Sequence, residues 1–223
     1  MKTKSFIKNM PWLDEPASEL EGLFVEHGVR HCYSKDQVFK HSEESNEYIY
    51  YLKEGFCYNF TVNSNGTSNI NRLLTPGSIF GEVSCVLGAP SLTQTTAVED
   101  SVVYTLKYRN LLTLVAGDAD LLHSLLKAYA WRIGAYNISI FVKNTFSNEQ
   151  KIALLFISIC NKADQGNFRP IPFSLTHQLI GELVGVSRET VSRVLSKWKK
   201  NEMIKTGRSI EINIEKMQEV LEH

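Results

Sequence analysis

The stretch Thr176-His-Gln-Leu-Ile-Gly-Glu-Leu-Val-Gly-Val-Ser-Arg-Glu-Thr-Val-Ser-Arg-Val-Leu195 decides how this chain folds. The Thr176 side chain can cap a first helix. Gly185 stands where that helix must end and turn, since glycine takes the left-handed conformation cheaply. Ser187 can cap a second helix, and Glu189 falls in its first turn, where the helix dipole favours an anion. At about 100° per residue, Val191, Val194, Leu195 and Trp198 fall on one face, and Arg188, Glu189, Ser192, Arg193 and Ser196 on the other. The apolar face packs on the first helix. The polar face is free to enter a major groove, which accommodates one α-helix. Arg can donate two hydrogen bonds to guanine, and Glu can accept from cytosine N4. A mere helical hairpin with a salt-bridged surface does not explain the paired caps, the turn glycine and the polar face together. The helix over 187–200 is therefore expected to recognise duplex DNA.

Two short strands are expected next, Met203-Ile-Lys-Thr and Ser209-Ile-Glu-Ile, with Gly207 at the turn. They would make a winged helix-turn-helix, with Lys205 and Arg208 reaching phosphates. Such contacts position a protein without reading sequence. The charge pattern agrees. The chain of 223 residues has 24 basic and 24 acidic side chains. Residues 174–208 nevertheless hold seven basic against three acidic, while residues 1–110 hold ten against thirteen. A short cationic island in a neutral chain is a candidate phosphate-binding face.

Working towards the N-terminus, Ile152, Leu155, Phe156 and Ile159 have the spacing of an amphipathic helix, about Glu149 to Asn161. Before it, Leu122, Leu126, Tyr129, Ile133, Tyr136 and Ile140 step by four and three, the pattern of a coiled-coil seam. A helix over 118–143 would be about 39 Å long and is read as a dimer interface. Earlier still, residues 27–108 hold short β-rich runs at 47–52, 56–62, 69–74 and 101–106, separated by turn signals such as Thr75-Pro-Gly77. They indicate a compact all-β barrel or sandwich. Residues 12–26 read as a short helix. The fold class is α+β, in three parts: the all-β region over 1–117, a helix over 118–143 read as dimerising, and the winged helix-turn-helix over 144–223.

Composition excludes other classes. The longest mostly apolar stretch, Ile152 to Cys160, is about half of what a membrane span needs. No apolar core follows the charged start, so no secretory signal is expected. None of Cys32, Cys57, Cys85 and Cys160 forms a CxxC pair, so neither a disulfide framework nor a metal site is expected and a reducing cytoplasm fits. No nucleophile elbow, P-loop, dinucleotide fingerprint or HExxH motif is present, so an enzyme is not expected.

The order of parts resembles the family of the cyclic-AMP receptor protein and the fumarate–nitrate reduction regulator. The runs that carry the likeness are Tyr51-Leu-Lys-Glu-Gly55, Pro76-Gly-Ser-Ile-Phe-Gly-Glu82 and Gly185-Val-Ser-Arg-Glu-Thr-Val-Ser-Arg193. The resemblance implies a cupin-type β-roll sensor over 1–117 in a homodimeric, ligand-responsive transcription factor that binds an inverted repeat and engages RNA polymerase. Arg188, Glu189 and Arg193 match the base readers of the cyclic-AMP branch, and Glu189, Ser192 and Arg193 those of the fumarate–nitrate branch. Half-sites like TGTGA or TTGA are implied. Gln178, Ser187 and Thr190 match phosphate-contacting positions, and Thr176 and Lys197 are placed with them. A sensor scaffold whose winged helix binds protein is the rival reading.

The resemblance also frames the effector. In the cyclic-nucleotide branch a Gly-Glu pair, here Gly81 and Glu82, holds the ribose and phosphate, and an Arg further along neutralises the phosphate. Its place falls near Thr93 and Gln94, and no Arg or Lys lies between Glu82 and Glu99. A buried phosphate without its counter-charge costs several kcal/mol. A cyclic nucleotide is therefore not expected, and Gly81-Glu82 is read as a turn with a surface carboxylate. An iron–sulfur sensor needs four clustered thiolates, which the cysteines do not offer. The haem-binding sensors carry Cys and then His two residues on; here Cys85 is followed by Leu87. No cofactor is expected, with haem or redox sensing as the alternative. The halorespiration regulators are similar at Tyr129 and Arg132, where a phenol and a basic side chain would engage a small aromatic anion.

Overall fold

The computed structural model describes residues 12–14, 16–42, 46–62, 68–160, 166–207 and 209–222. The chain forms two compact units. One is Asp14–Gly134; the other is Ala135–His223 together with Met1–Leu13. The division falls inside the long helix, which the sequence reading drew as a segment of its own.

The first unit is a β-roll of two facing sheets. In the first, β1 (Val29–Tyr33) pairs with β8 (Ser101–Lys107), β8 with β3 (Tyr48–Glu54), and β3 with β6 (Ile79–Phe80). In the second the order is β2 (Val38–Lys40), β7 (Gln94–Ala97), β4 (Cys57–Val62), β5 (Ser68–Leu74), all antiparallel. The two-residue period of a strand sorts the side chains. Leu52, Cys57, Leu74, Phe80, Ala97 and Val103 meet between the sheets. Ile49, Tyr51 and Leu106 face the other way and pack under the helices with Leu20, Phe24, Leu111 and Leu125. Those helices are α1 (Glu21–His27), α3 (Tyr108–Ala116) and the start of α4 (Ala119–Thr145). A short helix α2 (Glu82–Leu87) follows β6.

The four strands expected from the sequence are present. The helix expected over 12–26 starts later, with a 3-10 turn at Ser18–Leu20 and α1 after it. Pro16 has no backbone N–H to give to a helix begun at Trp12, which delays the start. Strands β1 and β7 were not foreseen. Val29-Arg-His-Cys-Tyr33 is a largely exposed edge strand, and Gln94-Thr-Thr-Ala97 buries threonines, with Thr95 Oγ1 donating to Asn59 Oδ1 at 2.8 Å.

The second unit holds α5 (Asn148–Ile159), α6 (His177–Val184), α7 (Arg188–Lys200), α8 (Ile214–Glu222) and a sheet β10 (Ile204–Thr206), β11 (Ile210–Asn213), β9 (Phe168–Pro170). A capping box starts α5: Ser147 Oγ accepts from the Gln150 amide at 3.3 Å, and Gln150 Oε1 accepts from the Ser147 amide at 2.9 Å. Trp12 is buried in this unit, its Nε1 donating to the Leu183 carbonyl at 3.0 Å.

Candidate nucleic-acid interface and sensor core

The two helices α6 and α7 are fixed at their joint by backbone chemistry. Thr176 Oγ1 accepts from the Leu179 amide at 3.1 Å, and Ser187 Oγ from the Thr190 amide at 3.2 Å, so both expected caps form. Gly185 ends α6 in the left-handed region, at φ 76°. Its amide and that of Val186 both donate to the Gly181 carbonyl, at 2.8 and 2.9 Å. Gly181, which the sequence reading passed over, is the closest point of the joint. A Cβ there would stand 2.6 Å from the Val186 carbonyl oxygen.

Val191, Val194, Leu195 and Trp198 are buried, and Trp198 packs edge-on against Phe156 of α5. Arg188, Glu189, Arg193 and Ser196 are exposed, and Ser192 is half-buried. Hydrogen bonds from its own backbone amide and from the Ser187 side chain hold the Glu189 carboxyl below its usual range, so it stands ready as an acceptor. Ser192 Oγ lies 2.8 Å from Nδ1 of His177, the first residue of α6. Ser187 and Thr190 hydroxyls are 3.1 Å apart; with the Ser187 proton given to Glu189, Thr190 is the donor between them. Gln178 donates to Glu182 at 2.6 Å and is exposed. Lys197 Nζ pairs with Glu149 of α5 at 2.7 Å, an exposed pair of the kind that contributes little to stability. Lys205 Nζ sits 4.0 Å from the Phe168 ring centroid. Arg208 lies outside the described residues.

The β-roll unit contains a buried ionic cluster whose members lie far apart in the sequence. Asp14 accepts from Arg72 Nη1 at 2.9 Å and from Arg132 Nη2 at 3.1 Å. Arg132 Nη1 donates to Glu82, and its Nη2 also donates to the Ile79 carbonyl. The four side chains are between 5% and 13% exposed, so the charges depend on each other more than on water. Burial pushes the Asp14 carboxyl up, to about 6, against the pull of Arg72. Burial also pushes Glu82 up, again against Arg72.

Two expectations are corrected here. Glu82 is not a surface carboxylate in a turn: it opens α2 and is turned onto Arg132. Gly81 caps that helix, its carbonyl accepting from Asn46 Nδ2 at 3.3 Å. The neighbourhood of Thr93 is not without a cation either. Lys40, remote in sequence on β2 and buried, donates to the Thr93 carbonyl at 3.0 Å and to Ser91 Oγ. Gln94 donates to Ser42 at 3.2 Å. Tyr129 packs half-buried against the core under the helices, its ring centroid 5.7 Å from the Arg132 guanidinium. Its hydroxyl is buried and makes no hydrogen bond. The Cys85 thiol, pushed up by burial to about 11, donates to the Asn46 carbonyl at 3.2 Å.

Helix α4 carries two neighbouring rows. Leu125, Ala128, Arg132, Ala135, Ser139 and Val142 are buried. Leu122, Leu126, Ile133, Tyr136 and Ile140, the expected seam apart from Tyr129, are 40% to 64% exposed. Among the described residues no helix is long and apolar enough to cross a membrane. Among them, no three His, Cys, Asp or Glu side chains cluster as a metal site would require.

Residues 150–220 match the Crp-like helix-turn-helix domain, and residues 30–118 the cyclic nucleotide-binding domain. A cyclic AMP receptor protein from Thermus thermophilus is 23% identical over 201 residues, which cover 90% of this chain and 91% of that protein. FixK2 from Bradyrhizobium japonicum superposes with a TM-score of 0.74 at 21% identity, over 86% of this chain and 96% of that one. CprK complexed with OCPA superposes with a TM-score of 0.70 at 22% identity, over 92% and 95%. At these identities the two structures speak for the fold alone.

Proposed function

Because the chain belongs to the CRP/FNR family of transcription regulators, and is a DNA-binding regulator rather than an enzyme, we propose that it acts as a homodimer on an inverted-repeat operator. Helix α7 reads bases through Arg188, Glu189, Ser192 and Arg193. Thr176, Gln178, Ser187, Thr190, Lys197, Lys205 and Arg208 hold phosphates. The observation that carries this reading is the capped α6–α7 pair, which buries every large apolar side chain of α7 and leaves two arginines and a glutamate exposed together. The exposed row Leu122, Leu126, Ile133 and Ile140 supports pairing through α4. Two α7 helices about 34 Å apart would then meet successive major grooves, and an effector that shifts α4 would change that spacing.

The effector in this reading is not a cyclic nucleotide. Ribose recognition would need the Glu82 carboxylate, which Arg132 already holds, and Lys40 already serves Ser91 and Thr93. A small aromatic anion is the reading favoured by one specific observation, the buried Tyr129 hydroxyl that has no partner beside the Arg132 guanidinium. CprK, complexed with OCPA, shares the fold. Such an anion would take Arg132 from Glu82, and Glu82 would accept a proton. Added phenolates should raise the melting temperature of the wild type and not that of Tyr129→Phe; equal shifts would remove the aromatic reading.

The test of the main reading is fluorescence anisotropy with an inverted-repeat duplex against a scrambled one, at two salt concentrations. Tighter binding to the repeat, and weaker binding to both at higher salt, is expected because phosphate contacts release counterions. Binding that ignores sequence and salt would refute it.

A further inference from the structure

The contact between His177 and Ser192 joins the two helices of the DNA-binding motif on their polar side. Nδ1 and Oγ are 2.8 Å apart, and both residues are half-buried, whereas Arg188, Glu189 and Arg193 are exposed. A serine hydroxyl has one proton and two acceptor lone pairs. Free to rotate, it can donate to or accept from a base edge and distinguishes bases poorly. Bonded to a bare imidazole nitrogen it loses that freedom. If Nδ1 is bare, the Ser192 proton is spent on it and the oxygen can only accept, which selects the amino group of adenine or cytosine. If Nδ1 carries its proton, the ring takes one lone pair, and the Ser192 proton and its second lone pair both stay free for a base edge of either kind. Only the bare Nδ1 leaves a single polarity, an acceptor, facing outward. The backbone that carries the ring is fixed, because His177 follows directly on the Thr176 cap and Gly181 lies close against the turn.

We propose that His177, accepting at Nδ1, is a positioning residue for specificity, which leaves the Ser192 hydroxyl only an acceptor towards one base. The inference rests on the reading of α7 as the base-reading helix. It adds a residue on α6 that touches no base and still decides which base is accepted.

The experiment is a competition titration with duplexes in which each half-site position is changed symmetrically to all four base pairs. The proteins are the wild type, Ser192→Ala, His177→Ala, the double variant, and His177→Asn, whose amide can stand where Nδ1 stands. In the wild type one position should prefer adenine and cytosine by about tenfold. Ser192→Ala and His177→Ala should each flatten that position and no other. The double variant should flatten it no further, and His177→Asn should restore a preference there. The proposal is overturned if His177→Ala keeps the wild-type preference while Ser192→Ala loses it. It is equally overturned if no position responds to Ser192→Ala, or if His177→Ala weakens every duplex alike with all preferences intact. A wild type that does not distinguish operator from scrambled duplex refutes the base-reading role of α7 itself, and the proposal with it.

Discussion

Arg132→Met tests the buried cluster of the sensor unit. The substitution keeps much of the side-chain volume and removes the charge. Asp14 keeps Arg72, while Glu82 loses Arg132 and keeps only the pull of Arg72 and Lys40. A carboxylate so buried is relieved by taking up a proton, and that sets the cost. Protonating at pH 7 a group whose ordinary value is 4.5 takes about 3 kcal/mol, at 1.36 kcal/mol per unit. Losing the bond to the Ile79 carbonyl adds about 1 kcal/mol. The variant should therefore be about 4 kcal/mol less stable at pH 7. At pH 5 the proton costs under about 1 kcal/mol, so the total falls to about 1–2 kcal/mol. Glu82 has a folded value above its unfolded one already in the wild type, and removing Arg132 raises it further, so the folded variant holds more protons and loses more stability as pH rises. Urea unfolding at both pH values, followed by circular dichroism, reads this directly. With a slope of about 2 kcal/mol per M, the midpoint should drop by about 2 M at pH 7 and by less than half of that at pH 5. An equal drop at both pH values, or none at pH 7, would refute the argument that Glu82 depends on Arg132.

Gly181→Ala should destabilise the DNA-binding unit, although alanine is the better helix former by about 1 kcal/mol. Its methyl group would meet the Val186 carbonyl oxygen at 2.6 Å, and hydrogen exchange should show α6 and α7 opening more readily while the β-roll is unchanged. Ile133→Glu places a charge in the exposed row of α4, where the residue is 64% exposed. Sedimentation should find monomers and a loss of operator affinity; an intact dimer would show that the pairing lies elsewhere. Alkylation should separate the thiols, because the thiolate is the reactive form. Cys32 is exposed and should label first; Cys57 is buried with its thiol pushed up to about 12, and should label only on unfolding, as mass spectrometry of digests would show.

What could be read from the sequence was local. The caps Thr176 and Ser187, the turn at Gly185 and the split faces of α7 are each set by residues within a few positions of each other. The strand cores around Tyr51, Cys57, Leu74 and Val103 announce themselves by β-branched and aromatic content. The ionic cluster does not, since Asp14, Arg72, Glu82 and Arg132 come from four distant places and meet only once the sheets are in register. Lys40 was missed near Thr93 for the same reason: it arrives from a neighbouring strand. The inner row of α4 was hidden differently. It is built from Ala128, Arg132, Ala135 and Ser139, so hydrophobic periodicity finds only the outer row, which the protein leaves exposed. Gly181 carried a usable signal, a glycine inside a helical pattern, which marks a close backbone approach.

The central claim is that the polar face of α7 reads DNA sequence. Its most direct measurement is the ratio of operator to scrambled-duplex affinity for the wild type and Arg193→Ala at one fixed salt concentration. The account predicts that the ratio falls by about tenfold or more in the variant while affinity for the scrambled duplex changes little. An unchanged ratio would contradict it.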